Sequence, residues 1–169
     1  MSTSTQQHRA EAPQRVRVAV ITISDTRTKE TDTSGAKIVE SLKGAGHEVA
    51  AWEIVPDEPR RIEELIERLS KEPNPDVILL TGGTGVGSRD QTFETLEPML
   101  TKTLPGFGEL FRMLSYEEIG AAAMLSRAIG GLIGRTVVLA MPGSTAAVRL
   151  AMEKLVVPEI AHLVREARR

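Results

Sequence analysis

An almost continuous apolar run near the start of the chain limits the folds open to it. Residues 16–24 read VRVAVITIS, and most of them are β-branched. A run without polar alternation is typical of a strand that is covered on both faces in a parallel sheet. The rest of the sequence is therefore interpreted as an alternation of strands and helices.

The segments that follow fit this alternation. Further strands are predicted at 47–55 and 136–141, and a short one is predicted to begin at 76. Helices are predicted at 34–45, 59–71, 93–100, 109–114 and 117–128. Thr31, Asp32 and Thr33 offer hydroxyls or a carboxylate to cap the first helix. A hairpin is predicted to turn at Gly134 and Arg135, and a last helical region to start at 144 and break at Pro158. The prediction is a three-layer α/β/α fold, with a mostly parallel, doubly wound sheet and a C-terminal β-hairpin contribution.

Length and composition exclude several classes of protein. The 169 residues predict one domain at 15–169 after a flexible tail at 1–14. A net charge of −2 argues against a nucleic-acid partner, and the absence of cysteine excludes thiolate catalysis and cysteine zinc sites. His8, His47 and His162 are too scattered for a metal cluster. With no targeting signal and no membrane-spanning run, a cytoplasmic protein without a membrane partner is expected.

A glycine-rich loop after the third predicted strand carries the most specific chemical signal. In TGGTGVGSRD, residues 81–90, glycine stands at 82, 83, 85 and 87, so several backbone N–H groups can face one anion. It is not a P-loop, because no lysine follows in a G-K-[ST] order. Asp90 is a candidate magnesium ligand or a cap of the helix near Thr92, and Arg89 could contact a phosphate.

Three other loops leave the carboxyl ends of predicted strands, where ligands of open α/β sheets bind. Asp57 could join Asp90 at a metal or phosphate, or could belong to an ordinary turn. Gly143 and Ser144 could hold an anion at a helix start, with Ser144 also a candidate N-cap. Ser24 and Asp25 are weaker candidates, because polar residues commonly begin a loop.

Several motifs together resemble the MoaB/MogA family of molybdenum-cofactor biosynthesis proteins. They are ITISDT, DTSG at 32–35, VPDE at 55–58, TGGTGVGSRDQTFE at 81–94, FRMLSYEEIGAAAMLSRA at 111–128 and MPGS at 141–144. The resemblance covers nearly everything from Val16 onward and is closer to the MoaB branch. It implies Mg-ATP-dependent adenylylation of molybdopterin, in which the pterin's phosphate attacks the α-phosphorus of ATP and pyrophosphate leaves.

The resemblance also implies roles for the candidate residues. Asp57 and Asp90 would hold Mg²⁺ and orient the phosphates. Ser144 would hold the anionic group at the other end of the bound substrates. The phosphate cradle would consist of Thr81, Gly82, Gly83, Thr84 and Gly85, while Ser24 and Asp25 would line the same cleft. The implied partners are molybdopterin, ATP, further copies of this chain in a trimer or hexamer with 111–125 as interface, and a downstream metal-insertion enzyme.

Two alternatives to the adenylyltransferase stay open. One is a catalytically silent oligomer of the same family that binds molybdopterin or a nucleotide. The other is the related domain of competence-damage-type nucleotide amidases or phosphatases, which fits less well because those chains usually carry extra segments. Retention of both Asp57 and Asp90 favours the active enzyme.

Overall fold

A computed structural model describes residues 11–71 and 75–169. The first ten residues of the predicted tail, with His8, lie outside the described residues, as does Pro73 after the second helix. The described chain forms one six-stranded sheet with helices on both sides. Within those residues, no helix is long and apolar enough to cross a membrane.

The sheet has the predicted mostly parallel character. Its strands are β1 (Arg17–Ile23), β2 (Glu48–Val55), β3 (Val77–Thr81), β4 (Lys102–Thr103), β5 (Ile129–Ile133) and β6 (Thr136–Met141). They lie in the order β2-β1-β3-β6-β5-β4. The first four strands in that order are parallel, and β5 and β4 add antiparallel pairs at the edge. The hairpin predicted around Gly134 is confirmed, because β5 and β6 pair directly across it.

The longer helices follow the apolar periodicity of the sequence. They are α1 (Thr33–Gly44), α2 (Pro59–Leu69), α3 (Thr92–Leu96), α4 (Pro105–Ile119), α5 (Thr145–Ala151) and α6 (Val157–Ala167). The segment predicted as a helix at 93–100 is divided into α3 and a 3₁₀ turn, Glu97–Met99. Both faces of the sheet are covered, because α1, α4, α5 and α6 pack on one side and α2 and α3 on the other.

The helices predicted at 109–114 and 117–128 are wrong in their bounds. α4 is one helix that starts at Pro105, whose missing N–H suits the first turn, where no intrahelical partner exists. It ends at Gly120, whose φ of +64° takes the chain out of the helix. The Ala-rich stretch after it is a 3₁₀ segment, Gly120–Leu125, because helix propensity alone is a weak determinant.

The break predicted at Pro158 is also wrong, because the chain stays helical through this region. A π-helical segment, Met152–Val156, joins α5 to α6. Proline has no N–H to donate, and its ring clashes with the carbonyl four residues earlier. A locally widened turn accommodates this residue without ending the helix.

Two apolar cores hold the layers together. Val18, Val20 and Leu79 pack with Ile38 of α1 and Phe111 of α4 on one face. Alternate residues of the same strands pack with α2 on the other face. Because β1, β2, β3 and β6 are parallel, the loops that leave their carboxyl ends all emerge at one edge.

Candidate active site at the carboxyl edge of the sheet

The four predicted loops meet at this edge and are joined by hydrogen bonds. The Gly82 N–H donates to the carbonyl oxygen of Met141 at 3.0 Å, and the Thr81 hydroxyl donates to that of Pro142 at 3.1 Å. Ser24 N–H donates to the carbonyl oxygen of Val55 at 2.8 Å. The loop after β3 is thus tied to the loop after β6, and the loop after β1 to the end of β2.

Gly82 and Gly83 have a backbone conformation that other residues rarely adopt. Their φ angles are +108° and +63°. A Cβ atom on Gly82 would lie 2.2 Å from the carbonyl oxygen of Ile23, and one on Gly83 would lie 2.5 Å from Asp57 Oδ2. Glycine is therefore required where the loop passes β1 and the Asp57 carboxylate.

Asp57 is the buried carboxylate of the cleft, and its side chain does not cap α2. Its Oδ1 accepts a hydrogen bond from Gln91 N–H at 3.1 Å, and its own N–H donates to Asp25 Oδ1 at 3.1 Å. Burial raises the pKa of Asp57, and the nearby charges of Asp90 and Asp25 raise it further. The ionised carboxylate is thus in a position where a positive charge would stabilise it.

Asp90 lies at the end of the glycine-rich loop and does not cap the following helix. The N-cap of α3 is Gln91, which makes no side-chain cap bond. Asp90 Oδ2 instead accepts a hydrogen bond from Gly87 N–H at 2.8 Å. A Cβ atom on Gly85 or Gly87 would lie within 2.8 Å of that oxygen, so the glycines make room for the carboxylate. Asp57 binds the N–H of the next residue, Gln91, so the structure brings the two carboxylates together.

Arg89 and Asp25 form an exposed bidentate ion pair. Arg89 Nη2 lies 3.0 Å from Asp25 Oδ1 and 2.8 Å from Oδ2. The hydrogen bond from Arg89 lowers the pKa of Asp25, followed by that from the Asp57 N–H. Arg89 is a predicted phosphate contact. In this conformation its guanidinium instead neutralises the Asp25 carboxylate in the loop after β1.

Ser24 and Ser144 both make local hydrogen bonds. Ser24 Oγ accepts from the N–H groups of Thr26 at 3.3 Å and Arg27 at 3.2 Å, as in a serine turn. Ser144 Oγ accepts from Ala147 N–H at 3.2 Å, which makes Ser144 the N-cap of α5. Gly143 lies against the glycine-rich loop, because a Cβ atom on it would be 3.2 Å from Gly82 Cα.

A pocket of about 220 Å³ extends from the glycine-rich loop toward α4. Its lining is Thr84, Gly85, Phe111, Ser115, Ile119, Ala122, Ala123, Leu125, Ser126, Pro142, Ser144 and Ala147. Among the described residues, the buried hydroxyls of Thr84 and Ser126 have no hydrogen-bond partner. The pocket is therefore largely apolar, and these two hydroxyl oxygens are buried in its wall.

Sequence reasoning missed Arg127, which contacts the glycine-rich loop at several points. Its Nε donates to the Gly85 carbonyl oxygen at 2.7 Å, and its Nη2 donates to that of Asp90 at 2.9 Å. Arg127 also pairs with Glu94. No local signal marks this arginine, because it follows an Ala-rich segment and its acceptors are backbone carbonyls distant in sequence.

Two carboxylates suit a magnesium ion that is shared with the substrate better than a metal ion that is held by protein side chains alone. Within 11–71 and 75–169, no group of three or more His, Asp or Glu side chains is gathered for a metal. Mg²⁺ usually takes one or two carboxylates and completes its shell with water and substrate phosphates. The negative charges that raise the pKa of Asp57 also favour a divalent cation there.

Proteins similar to this chain in sequence and fold are named for molybdenum-cofactor biosynthesis. Residues 19–162 match the family described as "Probable molybdopterin binding domain". Molybdenum cofactor biosynthesis protein B of Bacillus subtilis is 52% identical over 167 residues, 98% of each chain. A crystal structure of a molybdenum cofactor biosynthesis protein B has a TM-score of 0.89 and 54% identity, over 94% of this chain and 99% of that one.

A second similar solved structure is named for the synthesis of a tungsten cofactor. The tungsten cofactor synthesizing protein MoaB from Pyrococcus furiosus is 38% identical, with a TM-score of 0.83. The match covers 94% of this chain and all of that one. Sequence and fold agree over nearly the whole length, and this chain belongs to the MoaB/MogA family of molybdenum-cofactor biosynthesis proteins.

Proposed function

We propose that this protein is a molybdopterin adenylyltransferase that acts in molybdenum-cofactor biosynthesis. A terminal phosphate oxygen of molybdopterin attacks the α-phosphorus of ATP, and pyrophosphate leaves. The observation that carries the proposal is the meeting of Asp57 and Asp90 beside a glycine-rich loop at one sheet edge. Nucleotidyl transfer needs positioning and charge neutralisation, so the absence of cysteine is no obstacle.

Asp57 and Asp90 would hold Mg²⁺, which supplies charge neutralisation at the phosphates when it is bound. Asp57 is held by Gln91 N–H and by its burial, so its carboxylate needs little reorganisation. Asp90 keeps Oδ2 on Gly87 N–H, and no hydrogen bond to its Oδ1 is described. The chain thus supplies two anionic groups whose positions are set before the substrate arrives.

The glycine-rich loop and the adjoining pocket would bind the rest of the substrates. Residues 81–85, with Gly143 and Ser144, supply the phosphate-binding backbone, and Ser24 and Asp25 line the same cleft. Both substrates carry an aromatic heterocycle with polar edges. The largely apolar pocket suits one of those heterocycles.

We propose that the protein works as a homo-oligomer, a trimer or hexamer. Large apolar side chains are exposed on α4 and on the segment after it. They are Leu110, Met113, Tyr116, Ile119, Met124 and Leu125. Contiguous exposed apolar surface on a folded protein marks an interaction site. The enzyme that inserts the metal downstream is a further proposed partner, because it would receive the adenylylated pterin.

The test is to incubate the protein with molybdopterin and Mg-ATP and to measure adenylylated pterin and pyrophosphate. Wild type is expected to form both, and Asp90→Asn to lose about 100-fold in kcat because a charge-stabilising group is removed. Glu58→Gln is the matched control, because it removes one nearby exposed negative charge that makes no side-chain cap bond.

Two results would contradict the proposal. Equal turnover by wild type and Asp90→Asn would exclude a role for this carboxylate in the reaction. Tight pterin binding by wild type without any product would instead make the protein a silent, ligand-binding member of the family.

A further inference from the structure

Arg127 lies outside the four loops and makes three hydrogen bonds to the glycine-rich loop. It follows the 3₁₀ segment after α4, and its backbone N–H donates to the Thr84 carbonyl oxygen at 3.0 Å. Its side chain then donates to the carbonyl oxygens of Gly85 and Asp90 at 2.7 and 2.9 Å. One residue therefore contacts both ends of the exposed segment 86–89.

The guanidinium is fixed from two further directions. Its Nη1 pairs with the Glu94 carboxylate of α3, and its central carbon lies 5.5 Å from the centre of the Phe93 ring. Such a position over an aromatic face is attractive for an arginine. The side chain is 26% exposed, so solvent competes little for these contacts. Nε, Nη1 and Nη2 each donate to a protein oxygen, so Arg127 is suited to hold the loop.

The outer part of the loop has two other restraints besides Arg127. Arg89 pairs with Asp25, and Gln91 Nε2 donates to the Ser88 carbonyl oxygen at 3.0 Å. Residues 86–89 are exposed, and glycine at 85 and 87 gives the backbone wide conformational freedom. Within the segment, Asp90 and Gly87 bind each other through Asp90 N–H and Oδ2. The pair of Arg89 with Asp25 is solvent-exposed, whereas Arg127 is more buried and bridges the carbonyls of Gly85 and Asp90. The bridge therefore holds the small turn, and the Asp90 carboxylate with it, where solvent competes less.

We propose that Arg127 is a positioning residue that holds the glycine-rich loop in the conformation that presents Asp90 to the Mg-nucleotide. The inference deepens the proposed function and rests on it for its catalytic consequence. The mechanical part, loop order in the free protein, does not depend on any reaction. The guanidinium has this role because its planar fork donates to two carbonyls at once, which a single ammonium group cannot reproduce.

The first measurement is amide hydrogen exchange in the free protein, comparing wild type with Arg127→Gln. Exchange in the peptide that covers 82–92 is expected to speed up about tenfold while exchange in β1 and β3 stays unchanged, as for a local opening. Arg68→Gln is the matched control. Arg68 of α2 pairs with Glu53 of β2 at an exposed position, away from the loop. It should leave exchange at 82–92 as in wild type.

The second measurement is steady-state kinetics of adenylyl transfer. For Arg127→Gln, KM for Mg-ATP is expected to rise about tenfold or more, because the carboxylate is no longer held in place. Arg127→Lys keeps the charge but not the fork, so it should resemble the glutamine variant. If Arg127→Gln does not fold, Arg127→Lys carries both measurements.

The outcomes separate this inference from the proposed function. Unchanged exchange at 82–92 in a folded Arg127 variant would overturn the inference, as would full restoration by lysine or an equal increase in exchange over the whole chain. If wild type forms no adenylylated pterin but the loop-limited exchange is seen, the proposed reaction fails and the loop-holding role of Arg127 stands.

Discussion

Asp57 and Asp25 lie one hydrogen bond apart, yet their surroundings shift their pKa values in opposite directions. Asp57 is 8% exposed, and burial is the main cause of its raised pKa. Asp25 is exposed, and its hydrogen bond from Arg89 is the main cause of its lowered pKa. The two carboxylates therefore affect the pH dependence of stability with opposite signs.

Replacing Asp57 with asparagine should stabilise the magnesium-free protein at neutral pH. Because the folded-state pKa lies above the unfolded-state value, the folded protein binds more protons between them. Its free energy of unfolding then falls as pH rises through that window. The Asp57→Asn variant has no carboxylate to ionise there and keeps a side-chain oxygen for Gln91 N–H. We therefore expect its free energy of unfolding to exceed that of wild type by about 1 kcal/mol at pH 7, a typical gain when a functional residue is replaced.

The measurement is urea unfolding in the presence of a chelator at several pH values. The gain from Asp57→Asn should shrink as pH falls through the raised pKa, where wild-type Asp57 becomes protonated. Asp25→Asn is the control with the opposite sign. The ionised Asp25 stabilises the fold above its unfolded-state pKa, and this effect is lost as pH falls toward the lowered value. A destabilised Asp57→Asn at neutral pH would contradict the account of the buried charge.

At the scale of elements, two helices that border the site are capped in different ways. Asp32 caps α1 and is buried, with Oδ1 accepting from Gly35 N–H at 2.8 Å. Its Oδ2 accepts from the Thr22 hydroxyl at 2.6 Å and from Trp52 Nε1 at 3.0 Å. Ser144 caps α5 through one bond at an exposed position. The first cap therefore also joins α1 to β1 and β2.

The two caps should differ in their contribution to stability. Asp32→Ala is expected to cost about 3 kcal/mol, because three donors lose their acceptor in the interior. Ser144→Ala should cost about 1 kcal/mol, the usual effect of losing a serine N-cap. Urea unfolding at one pH measures both. Equal losses would show that Asp32 acts only as a cap and not as a link between layers.

At the scale of the molecule, α4 carries exposed apolar side chains, which the proposed homo-oligomer would cover. Met113 and Tyr116 lie three residues apart and are each more than half exposed. Their neighbours Phe111 and Ser115 face the core and the pocket. The same helix therefore borders the candidate site with one face and exposes apolar side chains on another.

A charge in this face should break up the proposed homo-oligomer. Met113→Lys places an ammonium group where an apolar side chain is 54% exposed, so the folded chain tolerates it but an apolar interface does not. Sedimentation equilibrium should show a single chain for this variant and a multiple of that mass for wild type. Glu63→Gln, which changes the net charge by the same amount on α2, should leave the mass as in wild type. A monomeric wild type would contradict the prediction.

Local sequence alone determined most of the architecture. Apolar runs and helical spacing depend on neighbouring residues, so they predicted the parallel strands, the hairpin at Gly134 and the helices that flank the sheet. Strand direction then predicted one edge for all four candidate loops. The predicted bounds of the helices in the α4 region were wrong, because Pro105 and Gly120 are each compatible with a helix boundary or with a loop. The sequence pattern does not choose between the two.

Only the tertiary structure decided how the candidate residues are connected. The bonds of Arg127 to Gly85 and Asp90 span 42 and 37 residues, and the pair of Arg89 with Asp25 spans 64. Such contacts have no periodicity along the chain, and two of these acceptors are backbone carbonyls, which every residue carries. The sequence determined which chemical groups reach the sheet edge, and long-range packing decided which of them hold the loop and which stay open to a ligand.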